Sequence, residues 1–287
     1  MPDAPETPTR SILITGCSSG IGHAAAHALA KRGWRVFATA RAAADVTRLE
    51  EEGFEALPLD LADSDSIEAA VAAVQARTAG RLTALFNNGA YGQPGAVEDL
   101  TRAVLREQLE TNLLGTHELT ARVLPMMRAQ GHGRIVHNSS VLGFAALPYR
   151  GAYICSKFAL EGLTDTLRQE LTGSGIHISL IQPGPIASRF RENAYQAFKA
   201  NIDTTHSAHA DTYRKVEARL ASQEGKAPFT LGPEAVVDKL IHALESRRPK
   251  PRYAVTVPTH LFAALKRVLS TRGMDRVLLR STRDERE

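Results

Sequence analysis

Tyr153 and Lys157 stand four residues apart in a stretch of helical period, so both side chains fall on one face about one turn apart. An ammonium fixed beside a phenol favours the phenolate and lowers the tyrosine from its free value of about 10, which would make Tyr153 a proton donor near neutral pH. A second constellation lies near the start of the chain, in Thr15-Gly16-Cys17-Ser18-Ser19-Gly20-Ile21-Gly22. A short apolar run meets a helix there, and the uncapped N–H groups at the positive end of that helix suit the pyrophosphate of a dinucleotide. Gly16, Gly20 and Gly22 are expected to admit the phosphates where side chains would hold them off, with Ser18, Ser19 and Ile21 completing the turn.

These residues need elements to hold them. Short runs rich in Val, Ile and Leu at 11–15, 35–40, 54–59, 82–87, 133–139 and 176–182 alternate with helix-length segments at 21–32, 64–78, 101–129 and 152–171. Strands of this apolar type are buried on both faces. The pattern therefore predicts an α/β fold with a doubly wound parallel sheet, helices on each side and right-handed crossovers. One Rossmann-type domain over residues 1–257 is expected, with residues 1–9 disordered. Within it, 188–223 is polar and irregular and reads as a helical insertion over the carboxyl edge of the sheet. Gly232-Pro233-Glu234 opens a helix to about Glu245, and 253–257 supplies a further strand. From about residue 258 the chain reads as a basic amphipathic helix followed by a charged, frayed end.

The 287 residues can bury one large core. No run reaches the roughly 18 apolar residues needed to cross a bilayer, and residues 1–10 lack the apolar centre of a signal peptide, so a cytoplasmic protein is expected. Residues 246–287 hold eleven Lys or Arg against four Asp or Glu; that segment carries +7 of a total of +4, leaving −3 for the rest. Basicity is thus a property of the tail, and a nucleic-acid partner is not expected. Cys17 and Cys155, the only cysteines, are too few for a disulfide framework or a zinc cluster and read as reduced thiols.

The glycine turn, Asn87-Asn88-Gly89-Ala90, Asn112, Ser140 and Tyr153-x-x-x-Lys157 occur together in the order and separations of the classical short-chain dehydrogenases/reductases, which the chain resembles over nearly its whole length. The stretch 229–239 and the basic ending resemble a bacterial NADP-dependent aldehyde-reductase branch related to 17β-hydroxysteroid and retinol dehydrogenases. The resemblance implies an oxidoreductase moving hydride between NADP(H) and a carbonyl or alcohol, with a small lipophilic aldehyde or ketone as substrate. It gives Ser140 the task of holding and polarising the carbonyl, and gives Lys157 a grip on the nicotinamide ribose. Ser139 would point to the other side of an extended segment. Asn112 would hold a water linking Lys157 to solvent, and Asn87 would tie the ends of the central strands together. The order Asn-Asn-Gly-Ala departs from the family's commoner Asn-Asn-Ala-Gly and affects the path at Gly89 and Ala90. A steroid or retinoid dehydrogenase is the alternative enzyme, and a non-catalytic NADP(H)-binding module the alternative of another class. The resemblance also implies a homo-oligomer, as is common in the family.

Cofactor choice is read from the end of the second strand. Family members that use NAD place an acid there, whereas this chain has Ala40 followed by Arg41. A charge-assisted hydrogen bond from Arg41 to a 2′-phosphate, worth about 1.5 to 3 kcal/mol, corresponds to a roughly ten- to hundredfold preference for NADP. By the same resemblance Asp60 accepts from the adenine amino group and Leu61 offers a backbone contact. The segment Gln182-Pro183-Gly184-Pro185-Ile186-Ala187-Ser188 resembles the family's Pro-Gly segment, which implies a place beside the nicotinamide with Pro183, Gly184, Ile186 and the Ser188 hydroxyl as contacts.

His23 and His27 share a helix face, but no carboxylate or third ligand lies at metal-site spacing, so no metal is expected. Phe190, Tyr195 and Phe198 have helical spacing in the insertion and read equally as core or as a cap on the substrate cleft. Leu261, Phe262, Leu265, Val268 and Leu269 against Lys266 and Arg267 read as a helix docked on its own protein, with a subunit or an anionic membrane surface as the other options.

Overall fold

A computed structural model describes residues 10–221 and 228–283. The disorder expected for residues 1–9, the last two residues of the 188–223 insertion and the frayed end at 284–287 lie outside the described residues. Among the described residues seven strands form one sheet: β1 (Ser11–Ile14), β2 (Arg35–Ala40), β3 (Glu55–Pro58), β4 (Ala84–Asn87), β5 (Gly133–Asn138), β6 (Ile176–Gln182) and β7 (Arg252–Ala254). Their spatial order is β3-β2-β1-β4-β5-β6-β7 and every pairing is parallel. The winding direction reverses between β1 and β4, and a crevice opens there at the carboxyl ends of the strands.

Side chains alternate to opposite faces of a strand, so β1 feeds both cores. Ile12 and Ile14 join α1 (Gly20–Ala30) and α9 (Glu234–Glu245) on one side. Leu13 joins α3 (Ser64–Arg77) and α5 (Gly115–Gln130) on the other, near the inner edge of α6 (Gly151–Glu170). All three β1 side chains are fully buried, each worth about 1.5 to 3 kcal/mol against exposure. Double-sided burial explains why these strands read as continuous apolar runs.

Four local readings are corrected. A helix α2 (Ala43–Glu51) follows β2; its short, polar sequence carries one buried residue, Leu49, and so little periodicity. The long helix expected over 101–129 is broken into α4 (Arg102–Leu109), a π-helical turn over Glu110–Leu114, and α5. The last strand ends at Ala254 because Thr256 and Pro258 start a helix, α10 (Val257–Val268). The tail is two helices: Ser270 caps α11 (Thr271–Ser281) by accepting from the Gly273 N–H. The insertion after β6 forms α7 (Phe190–Asn201) and α8 (Ala210–Ala221).

Candidate active site

Gly16 (φ +71°) and Gly20 (φ +58°) occupy the left-handed region, where residues with a Cβ are strained. The turn is also crowded by its own backbone. A Cβ on Gly22 would lie 2.2 Å from the Gly16 carbonyl oxygen, and one on Gly16 would lie 2.8 Å from Gly89 Cα. Room for phosphates was the expected reason for these glycines; close packing of turn, helix and β4 loop is the one the coordinates supply directly. The Ser19 side chain makes no cap hydrogen bond to α1, so among the described residues the first N–H groups of the helix are left for a ligand. An uncapped helix end and a turn without Cβ atoms fit a dinucleotide pyrophosphate.

The tie across the strand ends is Asn88, not Asn87. Asn88 Nδ2 donates to the Thr15 and Gly16 carbonyls at 3.0 and 3.2 Å, and its Oδ1 accepts from Asn138 Nδ2 at 2.9 Å. Asn87 points to the opposite side and donates to Thr120 Oγ1 at 2.9 Å. Period-two alternation separates these neighbours, and two identical residue types gave the sequence no way to rank them. Gly89 N–H donates to Thr15 Oγ1 at 2.8 Å, which fixes the path that the inverted Gly-Ala order left open.

The Asn138 carbonyl accepts from Lys157 Nζ at 2.8 Å. A hydrogen-bonded chain therefore runs from Lys157 through Asn138 and Asn88 to the glycine turn. Lys157 is buried, and burial pulls its ammonium down to about 8, with Glu161 acting in the opposite sense. Its Nζ lies 5.7 Å from the centre of the Tyr153 ring. Burial pushes the Tyr153 phenol up to about 12, against a hydrogen bond with Ser140 that lowers it. In the protein alone, desolvation of the phenolate outweighs the Ser140 hydrogen bond.

Ser140 and Ser139 diverge. The Ser140 side chain bonds Tyr153 and accepts from the Leu142 N–H at 3.0 Å, while Ser139 Oγ donates to Glu161 Oε1 at 2.6 Å. Glu161 also accepts from Gln182 and Arg252, at 2.9 and 3.0 Å, bracing the backs of Lys157 and the β6 end. Asn112 sits on the π turn, with its Nδ2 donating to the Tyr91 carbonyl (2.8 Å) and Ser156 Oγ (3.2 Å) and its Oδ1 accepting from the Tyr91 N–H (3.1 Å). Among the described residues Lys157 is joined to Asn138 rather than to Asn112. One lone pair of Asn112 Oδ1 is left for a water.

The remaining positions flank the crevice. Arg41 follows β2, exposed, near Tyr91. Asp60 uses one carboxylate oxygen to accept from the Ala62 N–H at 3.0 Å. The Leu61 carbonyl lies where a Cβ on Gly115 would be 1.7 Å away, which accounts for the glycine three residues after Asn112. The Pro183 carbonyl accepts from the Val141 N–H at 2.7 Å, Gly184 abuts Thr256, and Ile186 is bridged to Leu231. Ser188 reaches over Gly20: a Cβ there would be 3.0 Å from that of Ser188. Phe198 is core, Tyr195 packs on its cluster, and Phe190 stands edge-on to Tyr153 with ring centres 5.3 Å apart.

One expectation changes outside the crevice. His23 and His27, for which spacing offered no carboxylate, both meet Glu52, 2.7 and 3.0 Å away, because the turn after α2 packs beside α1. In the tail, Phe262, Leu265 and Leu269 pack with Val141 and Ala145, just past Ser140, while Leu261 and Val268 stay exposed. Cys17 is buried, its thiol pushed up to about 12 by desolvation, and Cys155 is exposed; both are free.

A family model described as short chain dehydrogenase matches residues 10–199. The chain belongs to the short-chain dehydrogenase family and has its Rossmann-type fold, an oxidoreductase scaffold for a nicotinamide dinucleotide. The "Uncharacterized oxidoreductase YbbO" of Escherichia coli (strain K12) is 44% identical over 94% of this chain and 94% of its own length. Human 17-beta-hydroxysteroid dehydrogenase type 1 is 34% identical over 85% of this chain and 77% of its own, and human retinol dehydrogenase 8 is 31% identical over 96% and 92%. An actinorhodin polyketide ketoreductase solved with NADPH superposes with a TM-score of 0.70 at 28% identity, covering 86% of this chain and 95% of that one. A Burkholderia phymatum member solved with NAD shares the fold, with a TM-score of 0.75 at 22% identity, covering 92% and 94%. Among the described residues no helix is long and apolar enough to cross a membrane.

Proposed function

We propose that the chain reduces lipophilic aldehydes or ketones with NADPH. The observation that carries this reading is the convergence of Ser140, half-buried Tyr153 and buried Lys157 on the crevice reached by the glycine turn. When bound, the dinucleotide supplies a hydride to the carbonyl carbon. Ser140 holds the carbonyl oxygen, and Tyr153 Oη gives its proton to that oxygen as negative charge develops on it. Lys157 orients the ribose and sets an ammonium beside the phenolate left behind. Asn112 holds the Tyr91 loop, with its free lone pair open to the water that returns a proton. The same groups run the reverse oxidation.

The turn residues Gly16, Ser18, Ser19, Gly20, Ile21 and Gly22 are assigned to the pyrophosphate, Asp60 and Leu61 to the adenine, and Asn88 and Gly89 to the neighbouring strand-end loop. Asn87 acts from behind, through Thr120. Pro183, Gly184, Ile186 and Ser188 border the nicotinamide. Arg41, exposed at the end of β2, favours a 2′-phosphate. Phe190 over Tyr153 favours an apolar substrate, with α7 and α8 as a cover over the cleft. The reading also keeps the protein in the cytoplasm.

The test is NADPH consumption with a panel of medium-chain aldehydes, retinal and ketosteroids. Aldehyde turnover supports the reading. Faster turnover of ketosteroids or retinal supports the alternative favoured by 34% and 31% identity to the steroid and retinol enzymes. Tight NADPH binding without turnover of any member would instead mark a binding module.

A further inference from the structure

Away from the crevice, α1 and the residue that ends α2 bring three donors together. His23 and His27 lie one turn apart with ring centres 4.6 Å apart, and both Nε2 atoms bond the same oxygen of Glu52, Oε2. All three donor atoms lie within 4.8 Å of one another. We propose that His23, His27 and Glu52 form a binding site for a divalent transition-metal ion such as Zn²⁺, separate from the reaction centre.

The geometry is close to what such an ion needs. Bonds of about 2.1 Å at tetrahedral angles set ligand atoms about 3.4 Å apart. Each imidazole nitrogen therefore opens from Glu52 Oε2 by under about an ångström, while the two imidazole nitrogens, within 4.8 Å of each other, settle to the same separation. In the present arrangement each imidazole donates its Nε2 proton to Glu52 Oε2. Moving that proton to Nδ1 leaves both Nε2 lone pairs aimed at the common point, with no change in charge on either ring. Both imidazoles and Arg48 bond the Glu52 carboxyl, so the third ligand is held in place at the common point.

Neighbouring groups keep the ligands aimed. Arg48 Nη1 donates to the other Glu52 oxygen, Oε1, at 2.7 Å, leaving Oε2 to the two imidazoles. Phe54 meets the His27 ring edge-on at 4.8 Å and limits its rotation. The side chains of His23, His27 and Glu52 are 32%, 40% and 25% exposed, so an ion reaches the site from solvent and keeps water as its fourth ligand. Two imidazoles and one carboxylate select Zn²⁺, Ni²⁺ or Cu²⁺ over Mg²⁺ or Ca²⁺. Arg48 also donates to the Ser18 carbonyl at 2.7 Å, so the site clamps α1 to α2 next to the glycine turn and apart from Ser140, Tyr153 and Lys157.

The test uses the full chain and Zn²⁺ itself, titrated against a chromophoric chelator and by calorimetry, with Mg²⁺ as control. One equivalent should bind with a rise in Tm, and Mg²⁺ should give neither. His23→Ala/His27→Ala and, separately, Glu52→Gln should weaken that binding by about tenfold or more, the scale on which even second-sphere partners act. Both variants sit at the surface, and circular dichroism confirms that they fold. Absence of stoichiometric Zn²⁺ binding overturns the proposal, and so does unchanged affinity in both variants, which would place the ion on other surface histidines such as His206 or His209.

Discussion

The two ends of the crevice are built to different tolerances. At the glycine turn, backbone meets backbone: Gly22 lies against the Gly16 carbonyl, Gly16 against Gly89, and Asn88 stitches Thr15, Gly16 and Asn138 together. At the substrate end, side chains meet side chains. Phe190, at the start of α7, touches Tyr153 by a ring edge while 38% exposed, and helices α10 and α11 present Leu261, Val268 and Leu279 to solvent. Positions of the reacting atoms are therefore set by the sheet and α6, and the shape offered to substrate is set by the attached helices. That division lets one fold serve many substrates.

The sharpest way to break this comparison is Gly22→Ala. Its Cβ would sit 2.2 Å from a main-chain oxygen that no rotamer change can move, so a loss of about 3 kcal/mol or more is expected by chemical denaturation, together with loss of NADPH binding. An unchanged midpoint would mean that the turn is as adaptable as the lid. Next in size is Lys157→Met. It should abolish turnover while raising stability at neutral pH by about 1 to 3 kcal/mol, since a buried charge is replaced by an apolar chain. The unfolded chain holds the Lys157 proton up to the ordinary 10.5 and the folded chain only up to about 8. Unfolding thus takes up a proton between these values, and wild-type stability climbs with pH across that window. Below about 8 the full penalty applies. In the variant this part of the climb should vanish, and a stability–pH slope equal to wild type would refute the assignment.

Arg41→Ala should raise the KM for NADPH roughly ten- to hundredfold and leave that for NADH nearly unchanged, without a shift in Tm. Equal effects on both cofactors would place Arg41 outside the 2′-phosphate site. The smallest effect is expected from Phe190→Ala: about 1 kcal/mol in kcat/KM for apolar substrates, with stability within error of wild type. A large stability loss there would show that the lid belongs to the core after all.

Most of the fold was legible because each buried strand advertises itself by apolar runs and each glycine turn by spacing. The sheet and its order of elements followed from that rhythm. The misses share a cause: contacts between residues far apart in sequence. Asn87 and Asn88 look alike until the strand's pleat assigns each a face. The break at Glu110–Leu114 needs the packing of Gly115 on the Leu61 carbonyl to be seen. Helix α2 offers one buried residue, too few for a period. The carboxylate facing His23 and His27 comes from the end of another helix, beyond any local spacing rule.

The central claim is that Tyr153 supplies the proton while the glycine turn independently holds the dinucleotide. Tyr153→Phe should be assayed for aldehyde reduction and, on the same sample, for NADPH affinity by fluorescence titration. A fall in kcat of about a hundred- to ten-thousandfold with NADPH affinity within a few-fold of wild type is the predicted result. Turnover within a few-fold of wild type would contradict it.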